Sequence, residues 1–143
     1  MKVRDIMTGC VVRIGDREPV EVAARAFTHY NVGVLPVCGE DGRLCGVVTD
    51  RDLVTRCMAA GRAAGTVRVK DVMTNRVVTA GPDMDVEVAA HLMGREQVRR
   101  LPVVENGKLC GMVSLADMAV SEYANMDAAD ALAEITTNIR KKD

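Results

Sequence analysis

Residues 3–8, Val-Arg-Asp-Ile-Met-Thr, return as residues 69–74, Val-Lys-Asp-Val-Met-Thr. At the same offset Val11 and Val12 match Val77 and Val78, while Val20, Ala23, Ala24 and Phe27 match Val86, Ala89, Ala90 and Met93. Leu35-Pro36-Val37 likewise matches Leu101-Pro102-Val103. One residue is lost where Gly39-Glu-Asp-Gly42 is shortened to Glu105-Asn-Gly107, and a turn accommodates such a change. A repeat of this length builds the chain from two similar supersecondary units, a stronger constraint than any local propensity.

Within one copy, residues 5–7 predict a helical turn and residues 10–14 a short strand. Val20, Ala23, Ala24 and Phe27 fall at i, i+3, i+4 and i+7 of an amphipathic helix, with Pro19 acceptable at its start. Residues 34–38 and 44–48 read as two strands around a Gly/Asp turn. A second helix from Asp50 should carry Leu53, Val54, Cys57 and Met58 inward and stop at Gly61. The expected fold class is α+β, with β-α-β-β-α repeats at residues 1–61 and 69–123 joined by a linker at 62–68. A unit of about 60 residues buries too little surface alone, so the copies should pack sheet to sheet around a pseudo-twofold axis. Residues 124–143 have no counterpart in the first copy and predict a C-terminal helix with Ala128, Leu132, Ile135 and Ile139 on one stripe and a basic end. That stripe suits the core or a second subunit, and the second is slightly preferred.

Each copy also repeats an ending: Leu-Cys-Gly-Val-Val-Thr-Asp-Arg-Asp at residues 44–52 and Leu-Cys-Gly-Met-Val-Ser-Leu-Ala-Asp at 109–117. An apolar strand runs into a helix, with a hydroxyl residue (Thr49, Ser114) at the N-cap and an aspartate (Asp52, Asp117) three residues on. Two readings stand. The pattern is a capping box that satisfies orphan backbone donors, or a helix end that holds an anion beside a carboxylate. Two copies at matched places favour paired clefts. A phosphate suits the N–H groups and vicinal hydroxyls suit the carboxylate, and a ribonucleotide carries both.

Composition removes other functions. With 19 basic against 20 acidic residues, nothing draws the chain to nucleic acid or a membrane surface. One Phe, two Tyr and no Trp leave no stacking platform for single strands. The five cysteines, Cys10, Cys38, Cys45, Cys57 and Cys110, form no Cys-x-x-Cys pair and read mostly as reduced, buried small hydrophobes. Cys38 and Cys45 flank a turn without a histidine pair nearby, so no metal site is expected. His29 and His91 read as solvated or partly packed helix residues. No signal peptide or membrane-length apolar run is evident, so a soluble cytoplasmic protein is expected.

Together, Asp-Ile/Val-Met-Thr, Leu-Pro-Val and Gly-Val/Met-Val-Thr/Ser-x-x-Asp resemble a tandem pair of cystathionine-β-synthase (CBS) domains, a Bateman module of the stand-alone prokaryotic type. The resemblance spans residue 3 to about Tyr123. It implies a regulatory module that binds AMP, ADP or ATP, with S-adenosylmethionine or NAD in some relatives. It further implies that one site uses Thr49, Arg51 and Asp52 with Thr74, Val77 and Val78, and the other Ser114 and Asp117 with Thr8, Val11 and Val12. Each aspartate would hold ribose hydroxyls, and the valines would wall the base. Arg99 and Arg100 stand where the family places phosphate-binding basic residues, whereas the first copy has Gly33 and Val34 there. Conversely, Arg51 is matched by Ala116, so the two clefts differ in charge.

The leading expectation is a sensor that binds nucleotide and passes the change to a homodimer mate or a client protein. An enzyme is disfavoured because no acid–base pair, nucleophile constellation or P-loop is present. The alternative is an oligomerisation scaffold with vestigial clefts.

Overall fold

The computed structural model describes residues 1–121 and 125–142, with side chains in the last helix described through Asn138. Tyr123, the Ile139 side chain and the basic side chains of residues 140–142 lie outside the described residues. The chain forms two compact units. The proximal unit gathers Val12–Val77 with Gly107–Leu109, and the distal unit gathers Met1–Val11, Val78–Asn106 and Cys110–Asp143.

The proximal unit runs β1 (Ile14–Gly15), α1 (Val20–Tyr30), β2 (Val34–Cys38), β3 (Leu44–Thr49) and α2 (Asp50–Asp52), continued by a π-helical turn over Leu53–Met58. β1 lies parallel to β2, and β2 antiparallel to β3 with Val34 opposite Thr49 and Val37 opposite Gly46. Ile14, Val20, Ala23, Phe27, Leu35, Val37, Val48 and Cys57 fill its core together with Val67, Val69 and Val72. Val67 comes from the linker, and Val69 and Val72 open the second copy of the repeat. They are held by the backbone: Val20 N–H donates to Val67 O at 2.9 Å, and Val69 N–H donates to Glu18 O at 2.8 Å. The first amide of α1, which has no partner inside the helix, is thereby satisfied.

The distal unit runs α3 (Val86–Glu96), β4 (Arg100–Glu105), β5 (Lys108–Ser114), α4 (Leu115–Ala119) and α5 (Asn125–Lys142). β4 and β5 form a hairpin whose turn holds Asn106 and Gly107 at φ 54° and 80°, the left-handed pair a two-residue turn demands. Here the opening segment of the first copy does the equivalent work: Val86 N–H donates to Met1 O at 3.0 Å, and Val3 N–H to Met84 O at 2.9 Å. Thr8 bridges antiparallel to Met112, with both amide bonds at 2.9–3.0 Å. In the proximal unit Thr74 bridges Val47 in the same way. This pairing explains the glycine of the Leu-Cys-Gly motif. A Cβ on Gly111 would stand 2.6 Å from Met7 Sδ and 3.0 Å from Thr8 O, and one on Gly46 would stand 2.7 Å from Met73 Sδ.

Several expectations need correction. The first strand is only Ile14–Gly15, and its counterpart is reduced to one parallel bridge between Ala80 and Val103. Val54 and Met58 are 53% and 73% exposed, because the wider π turn rotates them away from Leu53 and Cys57. Cys10 is exposed, and Cys45 and Cys110 are half-buried. Ala24 is exposed whereas its match Ala90 is fully buried. The difference comes from α5. Ala128, Ala131 and Ile135 of α5 join the distal core with Val86, Ala90 and Met93. α5 approaches α3 so closely that a Cβ on Gly94 would stand 3.1 Å from Ala131 Cα. Among its described residues the stripe thus covers the chain's own core, not a second subunit as slightly preferred, with Leu132, 42% exposed, lying off it.

Candidate functional site

Both strand-to-helix junctions close as capping boxes. In the proximal unit Asp52 N–H donates to Thr49 Oγ1 at 3.0 Å and Thr49 N–H donates to Asp52 Oδ2 at 2.9 Å. In the distal unit Asp117 N–H donates to Ser114 Oγ at 3.1 Å and Ser114 N–H donates to Asp117 Oδ2 at 2.9 Å. Each carboxylate therefore spends one oxygen on its own helix start. The second oxygens differ. Asp52, 8% exposed, turns Oδ1 toward Arg56 Nε at 3.7 Å, and the same guanidinium donates to Met73 O at 3.1 Å and Val72 O at 3.4 Å. Asp117 is half-buried, and its Oδ1 has no hydrogen-bond partner among the described residues.

Beside the distal junction lies a cavity of about 520 Å³, within the range of small-molecule pockets. Arg99, Arg100, Ser114, Leu115, Ala116 and Ala119 line one side, and Asn125, Ala128, Ala129 and Leu132 of α5 the other. Arg99 and Arg100 are exposed, and among the described residues neither has a carboxylate partner. Leu115 N–H donates to Arg99 O at 2.9 Å, fixing the first arginine to the start of α4. A cavity with two exposed cations and mostly aliphatic walls can hold an anion attached to an apolar body.

The expected residues fall as follows. Ser114, Arg99 and Arg100 share the cavity, and Thr8 is held to the same strand end through Met112. Asp117 does not line the cavity, since residues 116 and 119 share one helix face and 117 turns from it. Thr49, Asp52 and Thr74 are gathered at the proximal junction, with Arg51 exposed on α2. Val11 and Val77 are half-buried within the distal and proximal units respectively. Val12 packs against the proximal core and Val78 against the distal one, each in the unit opposite to its expected site partners. Two contributors escaped sequence reasoning. Arg56 carried a signal, being four residues after Asp52 on a helix. The α5 lining carried none beyond the small pair Ala128-Ala129.

The model of the CBS domain family matches residues 3–59 and again 69–124. The CBS domain-containing protein YhcV of Bacillus subtilis is 40% identical over 134 residues, 94% of either chain. Hypoxic response protein 1 of Mycobacterium tuberculosis is 34% identical over 116 residues, 81% of either chain. The crystal structure of Hypoxic Response Protein I with two coordinated zinc ions superposes with a TM-score of 0.77 at 34% identity, covering 83% of this chain and 97% of that one. The CBS domain pair of protein MJ0100, solved in complex with 5′-methylthioadenosine and S-adenosyl-L-methionine, gives a TM-score of 0.72 at 25% identity, covering 83% and 93%. Among the described residues no helix is long and apolar enough to cross a membrane. With both sequence copies matched and the α+β fold shared, the chain belongs to the CBS domain family as a tandem pair followed by a C-terminal helix.

Proposed function

We propose that this chain is a regulatory, non-catalytic module that senses an adenosine nucleotide of the AMP, ADP or ATP class at the distal α4 junction. The observation that carries the reading is the meeting of Arg99, Arg100 and the capped start of α4 at one cavity. The guanidiniums take phosphate oxygens, Ser114 adds its hydroxyl, and Asp117 offers Oδ1 to ribose hydroxyls at the rim. Thr8 and Val11 are the remaining members of this set. The relative crystallised with 5′-methylthioadenosine and S-adenosyl-L-methionine supports an adenosine core in the ligand, with S-adenosylmethionine or NAD as further members of the class. At the proximal junction Thr49, Arg51, Asp52, Thr74 and Val77 form the second candidate set, opposed by Arg56 on the Asp52 carboxylate. Occupancy shifts packing, and a homodimer mate or client protein reads the shift. One observation favours a second reading: both carboxylates already serve their own backbone, as a vestigial scaffold would have them.

Isothermal calorimetry with AMP, ADP and ATP separates the two. Binding by the wild type that weakens by about 1–3 kcal/mol in Arg100→Ala and in Asp117→Ala supports the sensor. Absence of heat and of a thermal shift at millimolar nucleotide supports the scaffold.

A further inference from the structure

The cavity beside α4 is larger and more aliphatic than a phosphate needs. Its charged groups lie together: Leu115 N–H donates to Arg99 O at 2.9 Å, Arg100 follows in the chain, and Ser114 caps the same helix start. Along α4 the walls become apolar, with Leu115, Ala116 and Ala119 on one side and Ala128, Ala129 and Leu132 of α5 on the other. Among the described residues no further cation lines this chamber, and past Ser114 the one polar lining side chain is Asn125. A second or third phosphate would find no counter-charge there, and a sugar little to bond. The apolar character continues at the surface: Val120, next after Ala119, is 87% exposed, and Met126, next after Asn125, is 74% exposed. Asp117 lies outside the cavity, on another face of α4. A ribose held by Asp117, with its base on the strand side beside Thr8 and Val11, brings its phosphate to the arginines and leaves the α4–α5 chamber unfilled.

We infer that the chamber between α4 and α5 is a subsite for an aliphatic group carried on the phosphate, so that the preferred ligand is an adenosine phosphate ester with an acyl or alkyl tail, the chemistry of an acyl adenylate. The inference rests on the nucleotide reading above and adds only what lies past the phosphate. Arg99 and Arg100 take the non-bridging oxygens of the ester. The tail displaces water from the methyl walls, and each methylene buried there is worth roughly fourfold in affinity. Longer polyphosphates are selected against, because they carry charge toward walls that cannot answer it. α5 has no counterpart in the first copy of the repeat, so this subsite belongs to the distal unit. Ala128 sits in the distal core with Ala131 and Ile135, so the helix that reads the tail is also a helix of the core.

Three probes are titrated by calorimetry into the full chain: AMP, the hexyl phosphodiester of AMP, and hexyl phosphate without the nucleoside. The wild type should bind the hexyl ester at least about tenfold more tightly than AMP, and more tightly than hexyl phosphate. The same titrations are made on Ala129→Gln and Leu132→Gln, both exposed positions on α5 whose replacement by a good helix former should leave the circular dichroism spectrum unchanged. In these variants the ratio of ester to AMP affinity should fall toward one, since a longer polar side chain occupies the chamber. If the wild type binds AMP and its hexyl ester equally, or if the variants keep the full ratio, the subsite is overturned and the nucleotide reading stands. If neither AMP nor the ester binds, or if hexyl phosphate binds as tightly as the ester, adenosine contributes nothing and both readings fall.

Discussion

Asp52 and Asp117 occupy the same place in two copies of one motif, yet among the described residues only the first has a guanidinium near its second oxygen. The position that holds Arg56 in the first copy holds Ser121 in the second, so the two copies differ in charge on this side of the helix. The cysteines make the same point about local surroundings. Burial pushes the thiols of Cys38, Cys45 and Cys110 above the ordinary range, and Cys45 and Cys110 donate to Val37 O and Val103 O at 3.3 Å. A raised thiol pKa leaves less thiolate at neutral pH, and the thiolate is what reacts. Iodoacetamide should therefore label exposed Cys10 first and Cys38 among the last, and the rates at Cys45 and Cys110 should climb as pH rises toward their elevated values. Peptide mass spectrometry over time reads the order; equal rates at Cys10 and Cys38 would contradict the burial pattern.

At the scale of the element, α5 decides what the two amphipathic helices bury. α1 and α3 share their heptad spacing, but Ala90 lies under α5 while Ala24 faces solvent. Deleting the buried side chain in Ile135→Ala should cost about 2–5 kcal/mol, whereas Leu132→Ala, off the core, should change stability by under about 1 kcal/mol. Urea denaturation measures both, and similar small losses would mean that α5 is not seated on the core. Periodicity announced α5 as a helix and named Ala128 and Ile135 as apolar positions. It slightly favoured a second subunit over the core that the stripe in fact covers, because a stripe records only that something covers it. The π turn was illegible for a related reason: Val54 and Met58 fit a regular helix face, and only the inserted hydrogen-bond geometry turns them outward. The junction motifs were legible as one of two readings, capping box or anion site, since hydroxyl and carboxylate sit three residues apart, and the structure closes both as capping boxes. Whether a ligand shares them depends on walls brought in from α5.

Across the whole molecule, the duplicated sequence does not produce duplicated chemistry. The distal cavity has two guanidiniums with no carboxylate partner among the described residues, and the proximal aspartate is faced by Arg56. Calorimetric titration with AMP should accordingly give a stoichiometry near one per chain, and Arg56→Ala should be the variant that moves it toward two; a wild-type value of two would remove the asymmetry. The bridge of Thr8 to Met112, and of Thr74 to Val47, has a historical consequence as well. A solitary ancestor of one such copy would have carried a threonine with no strand of its own to meet and a strand with no threonine to receive. Two separate copies could satisfy each other by trading these segments, and a single continuous polypeptide keeps the trade in place.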